Sequence, residues 1–222
     1  MCTKSNYLGS MFDTNNKNSK LKAGIKDFNV NFNYLMSKFG TCTTVVKSKL
    51  FNQYCCAYYG SQLWPLYNKE FKDLNVQWRK AVRRVWNLPY DTHCDMVPLI
   101  SDQYPIDISL KVRFIKFVKS IMNSKNNMVS FVAKIKGEDC RSIIGHNIRY
   151  LKVLYNLTDE QLYRLPEYKL KKYMYNDWLK KIKDEYFHHS TMIRELIYMK
   201  DSPYKWYSNE ESSCLINYLC TL

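Results

Sequence analysis

The chain has 222 residues and a formal net charge of +14, from 34 Lys and Arg against 20 Asp and Glu. Hydrophobic residues make up 46% of it and aromatic residues 15%, which excludes a disordered tail and is enough for one or two domains with a real core. This basic balance is typical of proteins that bind polyanions, either nucleic acid or an anionic membrane surface.

Only six glycines and six prolines occur, so long stretches lack helix breakers. The first ten residues hold no apolar core of a signal peptide, and no apolar run is long enough to span a bilayer. We therefore expect an intracellular protein, nuclear or cytoplasmic, with no membrane partner. The eight cysteines have no CxxC spacing, and most are expected to be reduced and buried.

The hydrophobic pattern predicts helices along nearly the whole chain. Residues 5–13 form a short apolar run around Gly9 that indicates a β-hairpin remnant, and residues 13–19 form a loop. The 3.6-residue periodicity then predicts helices over 20–39, 44–59, 69–88, 106–123, 127–135, 142–154, 167–187, 192–199 and 210–219, with a short helix over 97–100.

Cap and stop residues support these helix limits. Gly40 ends the first helix, Pro89 ends the third, and Asp95 is expected to cap the short one. Thr158 and Gln161 have capping-box spacing. The sequence therefore predicts an all-α fold, an irregular bundle of about nine or ten helices.

Residues 136–141 hold a glycine and a charge cluster, which is typical of a boundary. We expect a hairpin remnant and loop over 1–19, a helical domain over 20–136 and a C-terminal helical region over 137–222.

Two helices carry basic stripes. Trp78, Val82 and Val85 form a packing face on the helix 69–88, and the cations lie on another face. The first stripe consists of Arg79, Lys80, Arg83 and Arg84. The helix 106–123 is largely apolar with a basic edge, and this edge consists of Lys111, Arg113, Lys116 and Lys119. Taken alone, such stripes fit either a solvated helix surface or a seat for a phosphate backbone.

The residues indicate no catalytic site. Gly-x-Ser-x-Gly, the P-loop and the Gly-rich dinucleotide loop are absent, and Asp-Asp does not occur. We expect no cofactor, no metal site and no small-molecule substrate. His93, which lies in a loop, is expected to form a hydrogen bond with the backbone. The alternative is a zinc site drawn from His93, Cys94, Cys140, His188 and His189, although their spacing is not that of a zinc finger.

Several segments resemble one family. Residues 50–64 (LFNQYCCAYYGSQLW) resemble the thumb-region helix of reverse transcriptases from non-LTR (LINE-type) retrotransposons. Residues 78–94 (WRKAVRRVWNLPYDTHC) and 97–100 (VPLI) resemble the block that follows it there. Arg113-Phe114, Phe117 and residues 126–129 continue the likeness, residues 7–9 resemble the primer-grip hairpin, and residues 215–221 resemble the end of such reading frames. The likeness covers nearly the whole chain, is specific over 50–100 and is weaker after 140.

The resemblance implies a thumb and post-thumb region. The family synthesises DNA on RNA with a palm that carries a Tyr-x-Asp-Asp-type motif, and that palm precedes the primer grip. We therefore expect no polymerase activity from this chain alone, and a grip on the template–primer duplex through its backbone, without sequence preference, beside the palm and fingers. The two basic stripes are the expected contacts, and Tyr54, Tyr58, Tyr59, Trp64 and Trp86 either stack on bases or pack in the core. The alternatives are a helical protein-interaction module and an inert relic.

Overall fold

The computed structural model describes residues 4–7, 10–13 and 19–186. Two antiparallel strands, β1 (Lys4–Tyr7) and β2 (Ser10–Asp13), form the predicted hairpin. Nine α-helices follow within the described ranges: α1 (Ser19–Phe39), α2 (Thr44–Leu50), α3 (Lys69–Val85), α4 (Met96–Ile100), α5 (Ile106–Met122), α6 (Asn127–Glu138), α7 (Ile143–Tyr155), α8 (Asp159–Arg164) and α9 (Glu167–Tyr186). The all-α prediction is confirmed. The helices expected over 192–199 and 210–219 lie outside the described residues.

Helix α5 is the central element of the bundle. It contacts α3, α6, α8 and α9, and its side chains Ile108, Phe114 and Val118 are buried. Pro105 precedes its first residue, where a missing backbone N–H costs nothing, and Asn123 follows its last. The all-round apolar pattern read from the sequence therefore corresponds to a helix that is covered on most sides.

An aromatic core joins α1 to the segment after α2. The Phe28 ring lies 6.0 Å from Phe51 and 5.8 Å from Tyr58, and Tyr58 packs edge-on against Trp64 at 5.9 Å. A Cβ on Gly24 would overlap the Trp64 ring, so a residue without a side chain is needed where α1 crosses it. These large rings bury much apolar area and set the position of α1.

Two helices end earlier than the sequence predicts. The α-helical part of α2 stops at Leu50, and a π-helical turn (Phe51–Cys55) continues it. Helix α3 stops at Val85 because Asn87 adopts a positive φ of 52° that an α-helix does not allow. A 3₁₀ turn (Ser61–Leu63) lies between these helices.

The predicted caps are confirmed in part. The Thr158 and Gln161 side chains form the expected capping box at the start of α8. Asp95 stands at the N-cap of α4, but its side chain makes no capping hydrogen bond, so that expectation is wrong. Side chains of Asn126 and Ser142 cap α6 and α7 instead.

One hydrophobic cluster includes residues on both sides of the expected domain boundary, from Leu21 in α1 to Met174 in α9. Asn147 of α7 is fully buried, accepts a hydrogen bond from the Leu66 amide at 3.0 Å and donates to the Trp64 carbonyl at 2.9 Å. Lys136 and Gly137 lie in the last turn of α6. The division at 136/137 stays a prediction.

Within the described ranges, none of the helices combines the length and apolarity that a membrane span requires.

Candidate nucleic-acid interface

Helix α3 separates a buried face from a basic face. Trp78, Val82 and Val85 are buried, as the sequence predicts. Lys80 and Arg84 are exposed, whereas Arg79 and Arg83 are half-buried. Because the apolar face is packed into the core, the backbone that carries the basic stripe is held in a fixed position.

Arg83 braces the loop that follows α3. Its Nε and Nη2 atoms donate to the Thr92 carbonyl at 3.1 and 2.6 Å. Burial lowers the pKa of Arg83, and the neighbouring charge of Arg79 lowers it further, but a guanidinium remains charged at any physiological pH. Arg83 therefore contacts the loop through two of its nitrogen atoms, and the rest of its half-buried side chain reaches the surface.

A groove of about 550 Å³ lies between α1 and α3 on the basic side. The Arg84 guanidinium lies 5.1 Å from the centre of the Phe32 ring, which orients it along this groove. Tyr90 stands at the groove with 85% of its surface exposed. The residues that line the groove are Asn29, Phe32, Asn33, Gln77, Lys80, Ala81, Arg83, Arg84, Leu88 and Tyr90.

The groove combines three kinds of group suited to nucleic acid. Lys80 and Arg84 supply fixed positive charge, and three side-chain amides supply neutral donors. Tyr90 offers an exposed ring on which a base can stack. The sequence indicated the cations of α3, but it gave no signal that α1 would place Asn29 and Asn33 opposite them.

On α5, Lys111 lies in the interior rather than on the expected basic edge. Only 5% of its surface is exposed, and its Nζ pairs with Asp107 at 2.8 Å and donates to the Tyr155 hydroxyl at 3.1 Å. Burial lowers the pKa of Lys111, but Asp107 and Tyr155 together outweigh burial and raise it. The expectation of a solvent-facing cation is wrong for this residue because its partners already surround it.

Arg113 forms hydrogen bonds to the backbone that follows the π-helical turn. Its guanidinium donates to the carbonyls of Ala57 and of Tyr58, the latter at 3.3 Å, and to the Ser61 hydroxyl at 3.3 Å. A helix end leaves carbonyls without intrahelical partners, and a guanidinium fork satisfies several at once. Arg113 therefore joins α5 to this segment.

The other two cations of α5 face the start of α9. Lys116 is exposed and pairs with Glu167 at 3.3 Å, and Lys119 donates to the Leu165 carbonyl. Burial lowers the pKa of Lys119 and Glu167 opposes that shift. Of the four predicted cations of α5, Lys116 alone has an exposed side chain.

A second cleft of about 930 Å³ lies beside α5 and was not predicted. Lys171 of α9 lies 3.8 Å from the centre of the Tyr104 ring there, and Trp78, Arg113 and Lys116 also line it. Tyr104 and Lys171 are 67 positions apart in the sequence and belong to different predicted elements, so no local pattern indicates that they meet. Lys80, Arg83 and Arg84 of α3 line the first cleft, whereas Arg113 and Lys116 of α5 line the second.

The aromatic residues divide between the core and the surface. Tyr58 and Trp64 are buried, whereas Tyr54 and Tyr59 are exposed and Trp86 is half-buried. Burial and the neighbouring thiol of Cys56 raise the pKa of Tyr58. Core packing therefore accounts for Tyr58 and Trp64. Tyr90 is a further exposed ring, which the sequence pattern did not indicate.

The loop between α3 and α4 brings three metal-binding side chains together. The Asp95 amide donates to His93 Nδ1 at 3.4 Å, which confirms that this loop histidine bonds the backbone. Cys94 Sγ lies 3.5 Å from Asp95 Oδ2. Cys140, another member of the alternative zinc set, is exposed and lies beside Arg149. His188 and His189 lie outside the described residues.

Neither a protein-family model, nor a curated protein, nor a solved structure matches the chain.

Proposed function

We propose that the chain binds the sugar-phosphate backbone of a nucleic-acid duplex through the groove between α1 and α3. The observation that supports this most directly is the fixed set of Lys80, Arg83 and Arg84 beside three side-chain amides. Together with the resemblance of residues 50–100, this supports a thumb-like part of a non-LTR reverse transcriptase that holds template and primer without catalysing synthesis.

The physical basis is release of counterions. Each phosphate that a Lys or Arg neutralises releases condensed cations, which favours binding whatever the base sequence is. The net charge of +14 adds a long-range attraction that raises the association rate. Both effects are independent of the base sequence, so the chain is expected to bind duplexes of unrelated sequence with similar affinity.

The cations of α5 have partners within the fold, which supports a smaller part for them in duplex binding. Lys111, Arg113 and Lys119 have internal partners, and Lys116 has Glu167. We therefore assign the main contacts to Lys80 and Arg84, the exposed cations of the α3 stripe. Arg79 and Arg83 are half-buried, and Arg83 also donates to the Thr92 carbonyl, so we assign them a smaller contribution. The α5 cations act mainly in holding the fold around that helix.

Charge reversal tests the groove. The double substitution Lys80→Glu and Arg84→Glu changes two exposed side chains, and we expect duplex affinity to fall by about tenfold or more, because two phosphate contacts are lost and two repulsions appear. Fluorescence anisotropy with labelled duplexes measures the affinity of the native chain and of the variant.

The matched control is Lys169→Glu with Lys172→Glu. These exposed lysines of α9 give the same change in net charge away from the groove. A much smaller loss of affinity is expected. Equal losses in the two double variants would contradict a contact surface at α3.

We also propose that the chain has no polymerase activity alone. A two-metal polymerase needs neighbouring carboxylates to hold Mg²⁺, and the sequence has no Asp-Asp pair. Primer extension on an RNA template with Mg²⁺ or Mn²⁺ is expected to give no incorporation above a mock preparation. Incorporation that follows the protein through purification would refute this.

A second candidate function is binding of an amphipathic helix, and the surface of α6 favours it. Met128 is 70% exposed and Phe131 is 60% exposed, with Val132 and Ile135 on the same face. A contiguous exposed apolar face on a folded protein is typical of an interaction site. The exposed Lys134 and Lys136 flank the face, so the expected partner has acidic edges.

Two variants distinguish the candidate functions. Phe131→Asp is expected to abolish capture of such a helix and to leave duplex affinity unchanged, whereas the Lys80→Glu and Arg84→Glu variant is expected to do the reverse. Loss of duplex affinity in Phe131→Asp would contradict the assignment of the nucleic-acid contacts to α3.

A further inference from the structure

His93, Cys94 and Asp95 form a compact cluster of donor atoms that the proposed duplex groove does not use. Each offers one ligand atom, and the three atoms lie within 4.8 Å of one another. The set contains one imidazole nitrogen, one sulfur and one carboxylate oxygen. Among biological divalent ions, Zn²⁺ accepts all three kinds of ligand in one site.

The distances fit a tetrahedral ion. Ligand bonds of about 2.0–2.3 Å to zinc place neighbouring donors of a tetrahedron about 3.3–3.8 Å apart. His93 Nδ1 lies 3.7 Å from Asp95 Oδ2, and Cys94 Sγ lies 3.5 Å from the same oxygen. Two of the three edges therefore already have the required length.

The histidine presents the correct ring atom. Its Nδ1 accepts a hydrogen bond from the Asp95 amide, so this nitrogen carries a lone pair, which points toward that amide. A small rotation of the ring exchanges that weak 3.4 Å hydrogen bond for a metal bond.

The loop is held in place before any ion binds. The Thr92 amide and hydroxyl both donate to the Pro89 carbonyl, at 3.2 and 2.8 Å, and Arg83 donates to the Thr92 carbonyl. On the other side, the Met96 amide donates to the His93 carbonyl at 3.1 Å. A braced loop loses little conformational entropy when it binds an ion.

We propose that His93 Nδ1, Cys94 Sγ and Asp95 Oδ2 bind one Zn²⁺ ion, with water as the fourth ligand. Binding converts the thiol to a thiolate and releases its proton to the buffer. The thiolate and the carboxylate together carry two negative charges, which balance the charge of the ion. This balance offsets the repulsion from Arg79 and Arg83 on the adjacent helix.

Co²⁺ is the probe, because a bound thiolate gives a sulfur-to-cobalt charge-transfer absorption and a tetrahedral site gives intense d–d bands. Titration of the reduced chain is expected to produce both signals and to saturate at one equivalent, and added Zn²⁺ is expected to remove them. Native mass spectrometry then checks that one zinc ion is bound.

Variants identify the ligands. Cys94→Ser is expected to abolish the charge-transfer absorption, and His93→Ala is expected to weaken Co²⁺ affinity at least about tenfold. His93 is exposed, so this second variant keeps the fold, and circular dichroism verifies it for both. Cys140→Ser, which changes an exposed cysteine elsewhere, is the matched control and is expected to leave the spectrum unchanged.

Two results would overturn the proposal. One is an unchanged charge-transfer absorption in Cys94→Ser, which places the thiolate ligand at another cysteine. The other is loss of the signal in the double variant His188→Ala and His189→Ala, which places the ion in a different ligand set.

Discussion

At the scale of single residues, several cations of α5 have partners from distant parts of the chain. Arg113 contacts carbonyls more than 50 positions away, and Lys111 contacts Tyr155, 44 positions away. A buried cation is expensive unless it is paired, so these contacts are required by the fold. Removal of the Lys111 cation would leave the buried Tyr155 hydroxyl and the half-buried Asp107 carboxylate without this donor.

The substitution Lys111→Met tests whether the contacts of Lys111 stabilise the fold. The substitution keeps the length of the side chain but leaves Asp107 and the Tyr155 hydroxyl without their partner. We expect the free energy of unfolding to fall by about 2 kcal/mol, less than for a fully buried pair because Asp107 keeps some contact with water. Urea denaturation measures it, and the same substitution at the exposed Lys116 is expected to change stability by less than about 0.5 kcal/mol.

The contribution of Lys111 also has a defined pH dependence. Its pKa is raised in the folded chain, so its stabilisation is complete below the ordinary lysine pKa of about 10.4 and is lost as pH rises through the folded value. The stability difference between the native chain and Lys111→Met is therefore expected to stay constant from about pH 6 to pH 10 and to shrink at higher pH. A difference that falls between these two pH values would contradict the pairing.

The sequence predicts the burial of some residues correctly and of others wrongly, for a physical reason. The spacing of Trp78, Val82 and Val85 identified the buried side of α3, because helical periodicity is a local property. The spacing of Lys111 and Arg113 placed both on a basic edge of α5. Whether a cation faces solvent, a carboxylate or a carbonyl depends on chain segments far away in sequence, and no local pattern records it.

At the scale of elements, helix limits follow local signals where breakers are present. Helix α5 begins at Ile106 as predicted and ends one residue before the predicted end, because Pro105 and the apolar period are both strong. Helix α3 ends three residues before the predicted Leu88. Asn87 there takes a positive φ and accepts a hydrogen bond from the buried Lys47 at 3.3 Å, a contact 40 positions away.

Gly24 in α1 gives a test of packing against helix propensity. Alanine is the better helix former by about 1 kcal/mol, so propensity alone predicts that Gly24→Ala is stabilising. The new Cβ would overlap the buried Trp64 ring, which cannot withdraw from the aromatic core. We therefore expect a net loss of about 1–3 kcal/mol, measured by thermal or urea unfolding. A gain in stability would contradict the close approach of α1 to Trp64.

At the scale of the whole molecule, exposed cations occur along most of the described helices, and Lys80 and Arg84 are the exposed ones that line the groove between α1 and α3. The net charge of +14 predicts a polyanion partner but does not say which cations contact it. The structure separates those with internal partners on α5 from the exposed Lys80 and Arg84 on α3. Binding of a polyanion stays a prediction from the net charge, and the tertiary contacts show which of the eight predicted cations have partners within the fold.

The salt dependence of duplex binding tests the central claim most directly. Affinity of the full chain is measured against salt concentration for two duplexes of unrelated sequence. We expect the logarithm of the binding constant to fall linearly with the logarithm of salt, with the same slope for both duplexes. The Lys80→Glu and Arg84→Glu variant is expected to show a slope shallower by about two. Binding that is insensitive to salt, or a slope that the variant leaves unchanged, would contradict a backbone grip at α3.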